Sequence, residues 1–238
     1  PDYFDLMHRT IGALAERGLR SQVTLATRRK LIEEPVSFAQ EWASVINAHR
    51  EHVCLVECVN EWNHGDNDWA DQEVQAMGGA FRARSDVPMA LSAPAGTHWE
   101  DIEARLRQLY TPVAATATTI HFPRRDNTHE GPWRWVRQPW HARHGIPGCP
   151  VLTVDNEHQR WDRSAGGRDV SVAVAACLIA FIAGCGMSAH HDVYGVHNNK
   201  GEYHADTLAA RLQRVFKTVL PLLPSDLPNW QSTRVGEG

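Results

Sequence analysis

Short apolar runs recur along the chain at an interval of roughly 30 residues, the length of one strand-helix unit. The predicted strands are residues 22–26, 53–59, 88–92, 115–121, 151–154 and 187–193. Between them, apolar residues recur with the period of an amphipathic helix. The predicted helices lie around residues 4–14, 38–46, 70–81, 99–109, 170–182 and 208–219. Gly18 is expected to end the first helix.

Alternating helices and buried strands predict an α/β fold with a parallel sheet, which can close in two ways. A doubly wound sheet with a nucleotide site should show a Gly-rich turn after a strand, and neither G-x-G-x-x-G nor G-x-x-x-x-G-K-[ST] occurs. A (β/α)8 TIM barrel places its chemistry at the carboxyl ends of its strands. Glu61, His121, Glu157 and His190 all lie at such ends, so the pattern favours the barrel.

About six of the eight strands of a barrel can be counted, and the chain opens inside a helix. We therefore expect the two remaining strands to precede Pro1, in a longer polypeptide or a larger assembly. Residues 1–222 are predicted to form the barrel domain. Residues 223–238, rich in proline and polar residues, are predicted to be an exit linker.

Composition narrows the possible partners and compartments. The 238 residues carry a formal net charge of −4 and show no basic stripe, so we expect no nucleic acid partner. The apolar stretch 170–187 is broken by Gly-Cys-Gly and is interpreted as a buried helix, so we expect no membrane partner. No signal peptide pattern is visible, and localisation stays open. Five cysteines without a Cys-x-x-Cys pair indicate free thiols, which mildly favours a reducing compartment.

Two glutamates, each preceded by asparagine, follow strand-like runs. Period-2 alternation puts Glu61 on the same strand face as Glu57, half inside an apolar mouth, where desolvation should raise its pKa and suit a general acid. Glu157 follows the run 151–154 and is followed by histidine and arginine, whose charge would keep it ionised as a nucleophile requires. Asp155 is a rival carboxylate in the same turn. Three strand-helix units separate the two glutamates, which would then face each other across a barrel mouth.

Other polar and aromatic side chains are candidates for substrate contact. The segment 121–150 is rich in tryptophan, arginine and histidine, which can bind sugar rings and hydroxyls or can pack on a barrel wall. His121 could orient a carboxylate or a sugar hydroxyl, or could be structural. The cluster around His190 and Asp192 can be interpreted as a substrate contact, as packing, or as a metal site, for which the motif is weak. The candidates for sugar contact are Asn60, His121, Trp133, Trp161, His190 and Asp192.

Rival hydrolytic chemistries lack their motifs. No G-x-S-x-G occurs, which argues against a serine nucleophile elbow. Cys54 and Cys58 lie inside an apolar strand, where a nucleophilic thiolate is disfavoured. No H-E-x-x-H occurs, so we expect neither a metal nor another cofactor.

With these motifs the chain resembles the clan of (β/α)8 glycoside hydrolases that includes many cellulases, mannanases and β-glycosidases. In that clan the fourth strand ends in Asn-Glu, the acid/base with its neighbouring asparagine, and the seventh strand ends in the nucleophilic glutamate. The resemblance implies that Glu61 is the acid/base, that Glu157 is the nucleophile, and that strands three to eight are present. The chain departs from the clan after the predicted strand 22–26, which ends in Ala-Thr-Arg-Arg. It also has His-His-Asp where a sugar-stacking tryptophan is common.

The hypothesis is therefore a retaining glycoside hydrolase that cleaves β-linked glycans by double displacement, with a poly- or oligosaccharide as its partner. Asn60 would hold the 2-hydroxyl of the sugar. The alternative is a catalytically inactive barrel that binds carbohydrate or builds a larger assembly, such as a phage tail.

Overall fold

The structure is a computed structural model that describes residues 2–95, 99–111, 115–121, 149–150, 153–155, 185–187 and 208–226. The chain forms two compact units. The first comprises Pro1–His121 and Ile146–Thr153, and the second comprises Phe122–Gly145 and Val154–Gly238.

Helices and strands alternate along the first unit, as the hydrophobic pattern predicts. Its elements are α1 (Tyr3–Ala15), β1 (Ser21–Ala26), α2 (Pro35–Ala48), β2 (Val53–Val59), α3 (Asp71–Arg82), β3 (Met89–Ala90), α4 (Trp99–Tyr110) and β4 (Thr118–Ile120). Short 3-10 turns at Arg29–Leu31 and Arg50–His52 precede α2 and β2. The strands at 22–26 and 53–59 are confirmed, whereas β3 and β4 are shorter than predicted.

Helix α1 ends where a glycine permits a left-handed backbone. Gly18 has a φ of 72°, a conformation that glycine adopts without steric cost. Its amide donates to the carbonyl of Ala15 at 2.8 Å, and the amide of Leu19 donates to that of Leu14 at 3.1 Å. These bonds satisfy carbonyls that the last helical turn would leave unpaired, so the predicted role of Gly18 is confirmed.

Strands β1, β2 and β3 form a parallel sheet in that order. Val23 pairs with Val56, and Val56 pairs with Met89. The ladder continues past the assigned strand ends, because the amide of Val59 donates to the carbonyl of Leu91 at 3.0 Å. The amide of Asn60 likewise donates to Ala26 at 2.9 Å. The carboxyl ends of β1 and β2 therefore meet at one edge of the sheet, as in any parallel arrangement.

The central strand β2 is buried on both faces, as expected of a strand covered by helices in a parallel sheet. Apart from the exposed Cys54, all its residues are buried, including the carboxylate-bearing Glu57 at 0% exposure. Helices α2 and α3 contribute large, fully buried side chains to this core. They include Trp42, Ile46, Met77 and Phe81.

The described part of the second unit contains two short strands and one helix. Strand β5 (Thr153–Asp155), whose first residue belongs to the first unit, pairs in parallel with β6 (Gly186–Met187). Helix α5 (Leu208–Val219) matches the helix predicted over 208–219 and is followed by a 3-10 turn at Leu220–Leu222. The predicted helix 170–182 and most of the predicted strand 187–193 lie outside the described residues.

The mixed α/β class and the parallel sheet are thus confirmed. Within the described ranges the strands show neither a closed barrel nor six complete strand-helix units, so these finer points stay predictions. The division into a barrel domain (1–222) and an exit linker (223–238) also stays a prediction. None of the described helices is long and apolar enough to cross a membrane.

Candidate active site

A glutamate and a histidine meet at the carboxyl ends of two strands of the first unit. Glu61 follows β2 and the residue Asn60, which is half-buried. His121 follows β4 directly. Although 60 residues apart in sequence, the two side chains are in contact, with Nδ1 of His121 2.8 Å from Oε1 of Glu61. The pattern placed both residues at strand ends, and the structure shows that these two ends lie together.

The Glu61–His121 pair is sheltered but reachable. The Glu61 side chain is 22% exposed and that of His121 is 10% exposed. A histidine beside a carboxyl group can orient it, and partial exposure leaves the group within reach of a bound molecule. Such a group can exchange a proton with a bound molecule, which is the requirement for general acid-base chemistry.

The backbone of Glu61 is in the left-handed region, with a φ of 43°. For a residue with a Cβ atom this conformation costs about 1–2 kcal/mol, because Cβ approaches the following carbonyl oxygen. Strict strand alternation therefore ends here, and the turn, not the pleat of β2, sets the direction of the Glu61 side chain. Non-glycine residues in this region persist only where surrounding contacts fix them.

The loop after Glu61 supplies those contacts through Asn67, which is 5% exposed. The Nδ2 group of Asn67 donates to the carbonyl of Asn60 at 2.9 Å and to that of Glu61 at 3.0 Å. The Glu61 carbonyl also accepts a hydrogen bond from the amide of His64 at 2.9 Å.

Two further residues of this loop are tied to the segment that follows β3. The amide of Trp62 donates to Oγ of Ser92 at 3.2 Å. The side chain of Asn63 donates to the carbonyl of Ala95 at 2.8 Å and accepts from its amide at 2.7 Å. The backbone on the carboxyl side of Glu61 is consequently fixed to a second strand end.

The two tryptophans of this loop are structural. Trp62 is 3% exposed and donates from Nε1 to Asp71 at 2.7 Å. Trp69 is 6% exposed, donates to the carbonyl of Thr27 at 2.8 Å, and carries the guanidinium of Arg29 5.5 Å from its ring centroid. Rings buried in this way offer no open face for a sugar.

A second carboxylate on β2, that of Glu57, is fully buried. Its Oε1 accepts hydrogen bonds from the Thr119 hydroxyl and, at 3.1 Å, from the amide of Ala93, and its Oε2 accepts from the Thr24 hydroxyl at 3.1 Å. Burial and then the charge of Glu57 raise the pKa of the nearby Tyr110 hydroxyl. Glu57 thus links β1, β2, β4 and the exit of β3.

The two cysteines of β2 differ in exposure, since Cys54 is exposed whereas Cys58 is buried. Cys58 is buried, its Sγ lies 3.6 Å from Sδ of Met89, and burial raises the pKa of its thiol. In the ranges that the structure describes, no three histidine, cysteine, aspartate or glutamate side chains group as metal ligands.

The remaining predicted site residues, Glu157, Trp133, Trp161, His190 and Asp192, lie outside the described residues, and their roles stay predictions. Asp155, the rival of Glu157, is the last residue of β5.

Sequence reasoning missed Asn67 altogether and placed Glu57 on the strand face of Glu61 without giving it a role. A charged residue inside such a run could have identified Glu57, because a fully buried carboxylate requires hydrogen-bond donors. Asn67 has no comparable signal.

Comparison with known proteins reveals a relationship at the level of fold. No family model matches the chain, and no curated protein matches its sequence. Among solved structures, the exo-β-1,4-mannosidase Op5Man5 from Opitutaceae bacterium strain TAV5 matches 90% of the chain, with a TM-score of 0.54 and 14% sequence identity. The chain spans 50% of the length of that structure. The chain therefore shares its fold with an enzyme that acts on β-1,4-mannosides.

Proposed function

We propose that this chain carries the catalytic machinery of a retaining glycoside hydrolase that cleaves β-linked glycans. The observation that supports the proposal most is the Glu61–His121 contact of 2.8 Å at the carboxyl ends of β2 and β4. It supplies a partly exposed carboxyl group with an ordering partner, on a fold shared with an exo-β-1,4-mannosidase.

In the first step Glu61 acts as the general acid. Its carboxyl group, oriented by His121, would pass a proton to the glycosidic oxygen. As the bond between that oxygen and the anomeric carbon breaks, the carboxylate of Glu157 attacks the anomeric carbon from the opposite face. The leaving group departs as an alcohol, and a covalent glycosyl-Glu157 ester remains.

In the second step Glu61, now ionised, acts as the general base. It takes a proton from water while the water oxygen attacks the anomeric carbon and displaces Glu157. The product keeps the configuration of the substrate, and both glutamates return to their starting states. Asn60 is proposed to hold the 2-hydroxyl of the sugar, a contact that strengthens in the transition state. His121 orients Glu61 throughout, and Trp133, Trp161, His190 and Asp192 are candidates for sugar contact.

The proposal is tested by assaying the whole natural protein on aryl β-glycosides, with β-mannosides included. NMR of the first product should show the β anomer. Glu157→Ala should abolish turnover without unfolding the protein. Glu61→Ala should lose activity on substrates with poor leaving groups and keep much of it on 2,4-dinitrophenyl glycosides, which need no proton. Azide should restore the activity of the Glu61→Ala variant and give a β-glycosyl azide, because this anion attacks the glycosyl ester without a general base.

Glu41→Ala is the matched control, since Glu41 is an exposed glutamate on α2. It should retain wild-type rates on every substrate. Hydrolysis at the wild-type rate by Glu157→Ala would overturn the mechanism. No turnover of any β-glycan or aryl glycoside by a folded wild type would favour the inactive barrel instead.

A further inference from the structure

One buried side-chain amide contacts both peptide groups that flank Glu61. The carbonyl of Asn60 belongs to the peptide before the Cα atom of Glu61, and the carbonyl of Glu61 belongs to the peptide after it. Nδ2 of Asn67 donates to these two oxygens at 2.9 and 3.0 Å. An amide nitrogen carries two hydrogens, so it can satisfy both acceptors at once.

This geometry constrains both backbone torsions of Glu61. Rotation about φ would move the first peptide plane away from Asn67, and rotation about ψ would move the second. Either rotation would leave a buried donor without its acceptor, which is costly. The two bonds therefore oppose relaxation of Glu61 out of its left-handed conformation, with its φ of 43°.

Asn67 is itself held from two directions. Its backbone amide donates to the backbone carbonyl of His64 at 2.8 Å. Its backbone carbonyl accepts a hydrogen bond from the backbone amide of Arg29, also at 2.8 Å. Arg29 follows β1 and is anchored by a salt bridge of 2.6 Å to Glu73 on α3. Asn67 is thus held by its own loop and by the segment that follows β1, and it can act as a rigid support.

We propose that Asn67 is a positioning residue for Glu61: it fixes the backbone conformation that brings the Glu61 carboxyl group to His121. The inference rests on the proposed function, because the group that is positioned is the proposed acid/base. Asn67 touches neither the carboxyl group nor the substrate in this scheme. It acts only through the backbone of residues 60 and 61.

A kinetic test compares Asn67→Ala with Glu61→Gln and with the double variant. Loss of positioning should lower kcat/KM by about 10²-fold on poor leaving groups, the cost of a displacement of about 1 Å, and by much less on 2,4-dinitrophenyl glycosides. When Glu61→Gln is already present, adding Asn67→Ala should change kcat/KM little, since no proton donor remains to be positioned. Equal losses on both substrates, or additive losses in the double variant, would overturn the inference.

A control at Asn47 and a second variant at Asn67 keep the test decisive. Asn47→Ala removes an exposed asparagine that also donates from Nδ2 to a carbonyl, that of Arg84 at 2.8 Å, and it should leave kcat/KM unchanged. Asn67→Asp keeps the shape of the side chain but not its donors. It replaces Asn67→Ala if the alanine variant fails to fold.

A structural readout separates this inference from the proposed function. In a crystal structure of Asn67→Ala or Asn67→Asp, residue 61 should leave the left-handed region and its carboxyl group should lose contact with His121. Retention of the φ of 43° and of the 2.8 Å contact would overturn the inference even in an active enzyme. If no glycoside is hydrolysed, the proposed function fails while this measurement still decides the role of Asn67.

Discussion

The hydroxyl of Thr119 on β4 donates to Oε1 of Glu57 on β2, across the interior of the first unit. Thr119 lies two residues before His121, and Glu57 lies four residues before Glu61. The Glu57–Thr119 bond therefore joins the two strands whose ends carry the candidate pair.

We predict that Glu57→Gln destabilises the protein by about 2–4 kcal/mol, because the amide group of glutamine cannot accept from all three donors and hydrogen bonds to a charged group are strong. Thr119→Val removes one donor only and should cost about 1–2 kcal/mol. Urea denaturation of both variants checks which substitution lowers the free energy of unfolding more. A larger loss for Thr119→Val would contradict the central role of Glu57.

We predict that Glu61→Gly is more stable than Glu61→Ala by up to about 1 kcal/mol. Glycine adopts the left-handed conformation freely, whereas alanine keeps the Cβ clash, and the greater chain entropy of unfolded glycine offsets part of the gain. The matched control is Glu41, exposed in the middle of α2. At that position the Glu41→Gly variant should be less stable than the Glu41→Ala variant by about 1 kcal/mol. The same sign at both positions would contradict the left-handed assignment.

Protonation of His49 should destabilise the fold. Its ring lies 3.1 Å from Nδ1 of His8, and burial, followed by the charges of His8 and His52, lowers its pKa. The unfolded chain then binds the proton more readily than the folded one. Stability should accordingly be fully present above about pH 6.5, the unfolded value, and should fall as the pH drops below it.

Melting temperatures measured between pH 8 and pH 5.5 test this. His49→Gln should show a smaller decrease than the wild type over this range. His64→Gln, which removes one exposed imidazole elsewhere, serves as the control and should keep the wild-type decrease. An unchanged decrease in His49→Gln would rule out this source of acid sensitivity.

The thiols of the first unit should differ sharply in reactivity. Cys54 is exposed near the start of β2, whereas Cys58 is buried near its end. Burial raises the pKa of the Cys149 thiol to about 12 and raises that of Cys58 as well. Because the thiolate is the reactive form, iodoacetamide at pH 8 should modify Cys54 fastest in the native protein, the half-buried Cys149 more slowly, and Cys58 only after unfolding. Peptide mass mapping reads the outcome, and early labelling of Cys58 would contradict the position of β2 in the core.

How far the sequence determined these results depends on the element. The bounds of β2 followed from an apolar run that only Glu57 breaks, because a strand covered on both faces needs mostly apolar residues. β3 and β4 came out shorter than predicted, since apolar residues such as Leu91 continue beyond the regular strand. The sequence predicted that Glu61 and His121 lie at the carboxyl ends of parallel strands, but not that their side chains are in contact. The support by Asn67 could not be predicted, because it depends on the path of a loop and on a side-chain position that no periodicity encodes.

The spacing of contacts around Glu61 also has a consequence for the order of folding. Asn67 is six residues away in sequence, whereas His121 is 60 residues away. Closing a short loop costs less chain entropy than closing a long one, so the turn at Glu61 can form while β4 is still undocked. During refolding, we expect hydrogen-exchange protection in the 60–67 turn to precede protection in β4. The Glu61–His121 contact would then mark a later stage in the folding of the first unit than the turn itself.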